Sequence, residues 1–120
     1  MSTIKVDTIK NTSNVEVFTA KAWVNFDGTQ AAASMIRASG NVSSIVDNGT
    51  GDYTVNFTTA MPDANYAVNG LTNSPSGLNA FVMEISRSTT QTASLVRIRT
   101  FRSTTGVGND PDIVCISVFR

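Results

Sequence analysis

The sequence predicts an all-β module: an antiparallel β-sandwich or barrel-like fold with a short N-terminal extended arm. Extended segments with alternating or continuous apolar character recur at intervals of about eight to twelve residues, with turn residues between them. The composition leans to Thr, Val, Ser and Asn, which suit pleated strands and turns. Successive segments are close together and no strand–helix–strand unit is visible, which favours an antiparallel meander.

With 120 residues the chain fits one domain that can bury a core without staples. Residues 1–14 read as an N-terminal arm or edge strand and residues 15–120 as the sandwich domain. In the first part Ile4, Val6 and Ile9 give an extended segment that either docks elsewhere or pairs at a sheet edge. Residues 15–26 are expected to form one long strand. Its core side carries Phe18, Ala20, Ala22, Val24 and Phe26, and its other side carries the single tryptophan, Trp23. Residues 30–35 allow one helical turn.

Further strands are expected at residues 35–39, 42–46, 53–58, 66–71, 80–85, 94–101 and 113–119. Residues 47–52, with Asn48-Gly49 and Gly51-Asp52, form a strong turn. Residues 61–65 turn around Pro62, which cannot donate to a ladder. Residues 73–77 and 103–111 read as polar loops.

Chemistry is sparse. The chain has no histidine, which removes the commonest general base and metal ligand. Its aspartates stand mostly beside Gly, Asn or Pro in predicted turns, where backbone geometry explains them. Glu84 sits among apolar residues mid-strand and is expected to pair with Arg97 or Arg99. Residues 47–52 lack the alternating acidic ligands of a calcium loop. Gly106-Val107-Gly108 lacks the strand–helix context of a phosphate loop. Cys115 lies in an apolar run and is expected to be a buried, inert thiol. The sequence therefore names no catalytic residue, no cofactor and no metal.

Net charge is zero and 15% of residues are charged. That balance leaves no footprint for nucleic acid around Arg97, Arg99 and Arg102, and it opposes self-association little. No stretch has the length and apolarity of a membrane helix, and no secretory signal is visible. The Asn-x-Ser/Thr triplets at Asn11, Asn41, Asn48 and Asn56 are at the frequency this composition gives by chance.

A lone sandwich wets one face of each sheet, yet several predicted strands are apolar on both sides. A sister subunit is the expected cover, because homo-oligomer contacts are rich in apolar residues, aromatics and Met. The candidate interface residues are Trp23, Met83, Val114, Ile116 and Val118. The candidate docking arm is Ile4, Val6 and Ile9. Candidate recognition positions in the loops are Asp47, Asn48, Asp52, Asn73, Ser76, Asn109 and Asp110.

Three strings carry a resemblance. Met1-Ser2-Thr3-Ile4-Lys5-Val6-Asp7-Thr8-Ile9 resembles the opening of short virion proteins of tailed bacteriophages, marine and cyanobacterial ones in particular. Ala20-Lys21-Ala22-Trp23-Val24-Asn25-Phe26-Asp27-Gly28-Thr29 resembles a motif of phage tail-fibre modules. The stretch from Asn41 through Asp47-Asn48-Gly49-Thr50-Gly51-Asp52 to Val68 is similar to the same group. Together they cover about the first half of the chain.

The resemblance implies a homotrimeric, non-enzymatic virion protein made in the host cytoplasm. Its expected role is a short tail fibre or fibre tip that attaches to the host. The expected partners are its own copies, other virion proteins and a host surface glycan or protein, with no nucleic acid and no membrane insertion. Two other readings are a capsid decoration protein, since the chain lacks the shaft of a long fibre, and a free lectin using Trp23.

Overall fold

The computed structural model describes residues 2–74, 80–89 and 91–120. The strands in chain order are β1 (Ala22–Phe26), β2 (Ile36–Gly40), β3 (Val42–Gly49), β4 (Asp52–Phe57), β5 (Ala67–Thr72), β6 (Phe81–Ile85), β7 (Leu95–Arg102) and β8 (Val114–Phe119). A single 3₁₀ turn, Ala32–Ser34, joins β1 to β2, where one helical turn is expected.

Every pairing is antiparallel. The strands form two four-stranded sheets, ordered β2-β1-β8-β5 and β3-β4-β7-β6. The architecture is an open sandwich, and the barrel alternative falls.

Alternation decides which side chains meet between the sheets. Ala22, Val24 and Phe26 on β1 share the core with Val114, Ile116 and Val118 on β8. Tyr53, Val55 and Phe57 on β4 and Val96 and Ile98 on β7 supply the opposite wall. Two edge-on aromatic pairs interlock the layers, Phe26 with Tyr53 at 5.1 Å and Phe57 with Tyr66 at 5.6 Å between ring centres. Tyr66 keeps its hydroxyl satisfied on the carbonyls of Thr92 and Leu95, both at 2.8 Å. Burial pushes that phenol up to about 12.

One edge of the sandwich is sealed by the Gly40-Asn41 link between β2 and β3. Asn41 sits at φ 55°, a left-handed conformation that asparagine tolerates. Its side chain accepts from the Thr59 amide at 2.7 Å and donates to the Lys21 and Thr59 carbonyls. At the other edge β5 and β6 leave a cleft lined by Val68, Met83 and Ile85.

Three expectations are corrected here. The strand expected over residues 15–26 begins at Ala22, and Phe18 is exposed rather than in the core. The Lys21 amide donates to the Val118 carbonyl, and β8 ends one residue later, so no strand of the sheet opposes the chain upstream. Residues 2–9 pair with neither sheet, so they are not an edge strand. Cys115 is half-buried on the outer side of β8, not in the core.

Parity makes a direct test. Ile116→Ala should cost about 2–5 kcal/mol in urea unfolding, because it leaves a cavity between the sheets. Cys115→Ser, one residue away on the outer side, should stay within about 0.5 kcal/mol in an isolated subunit. Equal losses would mean that the register of β8 is wrong.

Candidate functional site

The two outer faces differ in kind. On the second sheet β4 turns Asp52, Thr54 and Asn56 outward, and β7 turns Arg97 and Arg99 outward beside the half-buried Leu95 and Phe101, with the polar groups mutually bonded. Arg97 reaches Asp52 through two N–H groups, each at 2.8 Å. Arg99 pairs with Glu84 at 3.3 Å and lies over the Phe101 ring at 5.8 Å. Asn48 donates to the Thr54 hydroxyl, and Asn56 to that of Ser44. The expected strand-to-strand pairing of Glu84 is thus present, with Arg99 rather than Arg97.

The outer face of the first sheet carries Ala38 and Gly40 on β2, then Trp23 and Asn25 on β1. Cys115, Ser117 and Phe119 follow on β8, and Ala67, Asn69 and Leu71 on β5. Among the described residues of those four strands, the only charged side chain is Arg37. Its guanidinium donates to the Asp112 carbonyl at 2.6 Å and to Asn25 of the same face at 3.5 Å, and pairs with Asp27 at 3.0 Å.

Trp23 lies flat across Gly40. A Cβ added at Gly40 would stand 2.9 Å from indole Cδ1, and closer still to Nε1, so glycine is what lets the ring lie down. Between Trp23 and Leu71 runs a shallow groove of about 610 Å³, floored by the β1–β8–β5 backbone with Cys115 and Ser117. Leu71 is 80% exposed and Trp23 is 44% exposed. An apolar, uncharged sheet face of this kind marks an interaction surface.

Of the expected interface residues, Trp23 is on this face. Val114, Ile116 and Val118 are not: all three are buried in their own core and unavailable to a sister chain. Met83 is also corrected. It points inward, half-buried, with its sulfur where a Gly70 side chain would stand.

Leu71, Cys115 and Phe119 are the outer-face residues that the sequence reading missed. A signal existed in β8. The set Val114, Ile116, Val118 is uniformly β-branched, whereas its alternate holds Cys115 and Ser117. The more uniform set belongs to the core.

The segments 27–35, 50–51, 73–74 and 103–113 meet at one end of the sandwich. Most of the expected recognition residues there are engaged internally. Asp110 accepts from the buried Tyr53 hydroxyl at 2.6 Å and from the Gly51 amide at 2.7 Å. Burial and the Asp110 carboxylate push the Tyr53 phenol far up.

Asp52 is a strand residue held by Arg97, whose guanidinium lowers its carboxyl below the ordinary range. Asn73 donates to Asp112 and accepts from the Ile113 amide. The Asn109 carbonyl accepts from Thr100 at 2.7 Å. Asp47 and Asn48 are exposed, each with a local bond. Ser76 lies outside the described residues.

At the opposite end Asp63 grips Arg120 through two bonds of 2.9 and 2.7 Å, fixing the end of β8. Arg120 and the Asn65 amide hold the Asp63 carboxyl down at about 2, from an ordinary 3.8. A carboxylate depressed in the folded state stabilises fully above the unfolded value and loses that contribution as pH falls through the folded one. Stability should therefore fall between about pH 4 and pH 2, and Asp63→Asn should flatten that part of the acid unfolding profile. An unchanged profile would show that the bond does not form in solution.

Among the described residues no group of three His, Cys, Asp or Glu side chains could hold a metal ion. Among them, too, no helix is long and apolar enough to cross a membrane. No model of a known protein family, no curated protein and no solved structure matches this chain.

Proposed function

We propose that this chain is a structural module of a tailed-phage virion, working as a homotrimeric short tail fibre or fibre tip in host attachment. The observation that carries the assembly part is the uncharged outer face of the first sheet, with Trp23 and Leu71 in water on an isolated subunit. A second copy covers such a face at little electrostatic cost, because the chain has zero net charge. The virion setting and the threefold symmetry rest on the likeness of the strings around Ile4, Trp23 and Asp47 to phage tail-fibre modules. At the loop end Asp110 ties Tyr53 and Gly51 together and Arg37 holds the Asp112 carbonyl. In this reading host contacts come from exposed loop side chains such as Asp47 and Asn48, not from the engaged Asp52 or Asp110.

Immunogold labelling of purified particles, with copy counting on stained gels, tests the reading. A fibre predicts a few copies confined to the tail. Labelling over the head in hundreds of copies would replace it with a decoration role, and an unlabelled particle would remove the virion assignment.

A further inference from the structure

The chain carries two Asn-Gly dipeptides, Asn48-Gly49 and Asn69-Gly70. In such a pair the asparagine side chain is open to attack by the next backbone nitrogen, because glycine puts no Cβ in the way. Both asparagines are exposed, and both belong to strands, β3 and β5. What holds their backbones differs.

Asn69 and Gly70 lie in an unbroken ladder. Asn69 stands opposite Ser117 and Gly70 opposite Ile116, and the register runs without a shift from Ala67 to Thr72. Closing a ring between the Asn69 side chain and the Gly70 nitrogen requires the peptide plane between them to turn. That plane is fixed by the pairing of β5 with β8.

Asn48 sits in a β-bulge. Asp47 pairs with Tyr53 and Gly49 with Asp52, and the register shifts between them, so Asn48 is the extra residue without a partner on β4. Gly49 is at φ 133°, and nothing lies within 4 Å of where its side chain would stand. The Gly49 amide donates to the Asp47 carboxylate at 3.0 Å, so a proton acceptor already rests on the nitrogen that would attack. The Asn48 carboxamide nitrogen donates to the Thr54 hydroxyl at 2.8 Å and reaches Asp52 at 3.5 Å.

We propose that Asn48 is a self-modification site, converted to aspartate and isoaspartate through a cyclic imide with Gly49. The Gly49 nitrogen bonds to Asn48 Cγ while Asp47 takes its proton. The Cγ–Nδ2 bond breaks, and Nδ2 leaves as ammonia with that proton. Water then opens the imide at one carbonyl or the other. One opening restores the ordinary backbone with a side-chain carboxylate, and the other routes the backbone through the extra methylene. Water is the only co-reactant, and nothing is oxidised or reduced.

The product alters the turn. A donor to Thr54 and Asp52 becomes a carboxylate between Asp47 and Asp52, on a chain whose net charge is zero. The new charge repels its neighbours and loosens the link between β3 and β4. The turn thus has two chemical forms, the more acidic one accumulating with age. This site stands on the bulge alone and is independent of the virion reading.

The test uses the full chain, incubated at mildly alkaline pH and body temperature, once folded and once in urea. Chymotryptic peptides separate the two asparagines, and mass spectrometry reads the exchange of amide for carboxylate. An isoaspartyl methyltransferase labels the isoaspartate. In the folded chain Asn48 should convert at least about tenfold faster than Asn69, the factor set by opening a pair of ladder hydrogen bonds. In urea the two rates should converge. Asp47→Ala should slow the conversion of Asn48 severalfold in the folded chain.

Equal rates at the two sites in the folded chain, or a faster Asn69, overturn the proposal. So does an Asn48 that stays intact when folded yet converts in urea. A folded Asp47→Ala chain that converts as fast as the unsubstituted one overturns it too, since the carboxylate would then take no part.

Discussion

Replacing Gly51 with alanine is expected to destabilise the fold by about 4 kcal/mol or more, or to abolish it, while Gly106→Ala should cost only about 1 kcal/mol. The two glycines have nearly the same backbone, at φ 66° and 68°, so the strain of placing an L side chain in the left-handed region is common to both. What differs is the space. A Cβ at Gly106 meets nothing within 4 Å. At Gly51 it would overlap the Thr100 carbonyl oxygen and come within 2.6 and 2.8 Å of the Asn109 backbone.

Those atoms cannot move cheaply. The Thr100 amide donates to the Gly51 carbonyl at 2.8 Å, and the Asn109 amide donates to the Thr100 carbonyl at 3.1 Å. The Gly51 amide itself is held by Asp110, which also receives the Tyr53 hydroxyl. An added methyl therefore pushes on the loop 103–113, on β7 and on the buried Tyr53 together. Thermal and urea unfolding of both variants measures the difference. Equal effects would mean that loop 103–113 does not press against the β3–β4 turn in solution.

Leu71→Lys should abolish self-association at micromolar concentration, a loss of at least about 2–4 kcal/mol or roughly 30- to 1000-fold in affinity. Leu71 is among the most exposed apolar side chains and borders the groove beside Trp23. Covering it would trap a lysine ammonium over the groove, whose lining residues include no carboxylate to receive it.

The monomer should keep its stability, because little of Leu71 is buried within its own chain. Val46→Lys is the matched control. Val46 is another exposed apolar strand residue, but it faces outward from the second sheet among polar neighbours, so association should persist. Loss of association in both variants would indicate a general solubility effect of added charge. Loss only at Val46 would move the interface to the second sheet.

The strand pattern was legible because turn chemistry punctuates it. Asn48-Gly49 with Gly51-Asp52, the Pro62 turn and the polar loop after Ser103 fix most strand boundaries to within a residue or two. What sequence could not resolve was side. β8 is apolar at nearly every position, and alternation within one strand does not say which parity faces inward. That is set by what the facing strands supply. From sequence alone Val114, Ile116 and Val118 suggest a contact between copies, because a mostly apolar strand hides its own orientation.

The inward turn of Met83 is hidden in the sequence for a related reason. Its inward course depends on Gly70, twelve or more positions away on another strand, leaving room for its sulfur. Phe18 matched the core alternation perfectly, yet β8 ends before it can be covered. Pairing length is a property of two strands at once. The ion pair of Glu84 with an arginine was legible because an acid amid apolar strand residues needs a cross-strand cation. The engagement of Asp110 by Tyr53 was not, since they lie 57 residues apart.

Self-association rests on the first sheet's outer face being covered by another copy. Sedimentation equilibrium of the full chain, from about one to about a hundred micromolar, measures this most directly. The expected mass is a whole multiple of 12.8 kDa, threefold if the phage-fibre likeness holds, with a collapse to one subunit in Leu71→Lys. A wild-type mass of 12.8 kDa across that whole range would contradict it.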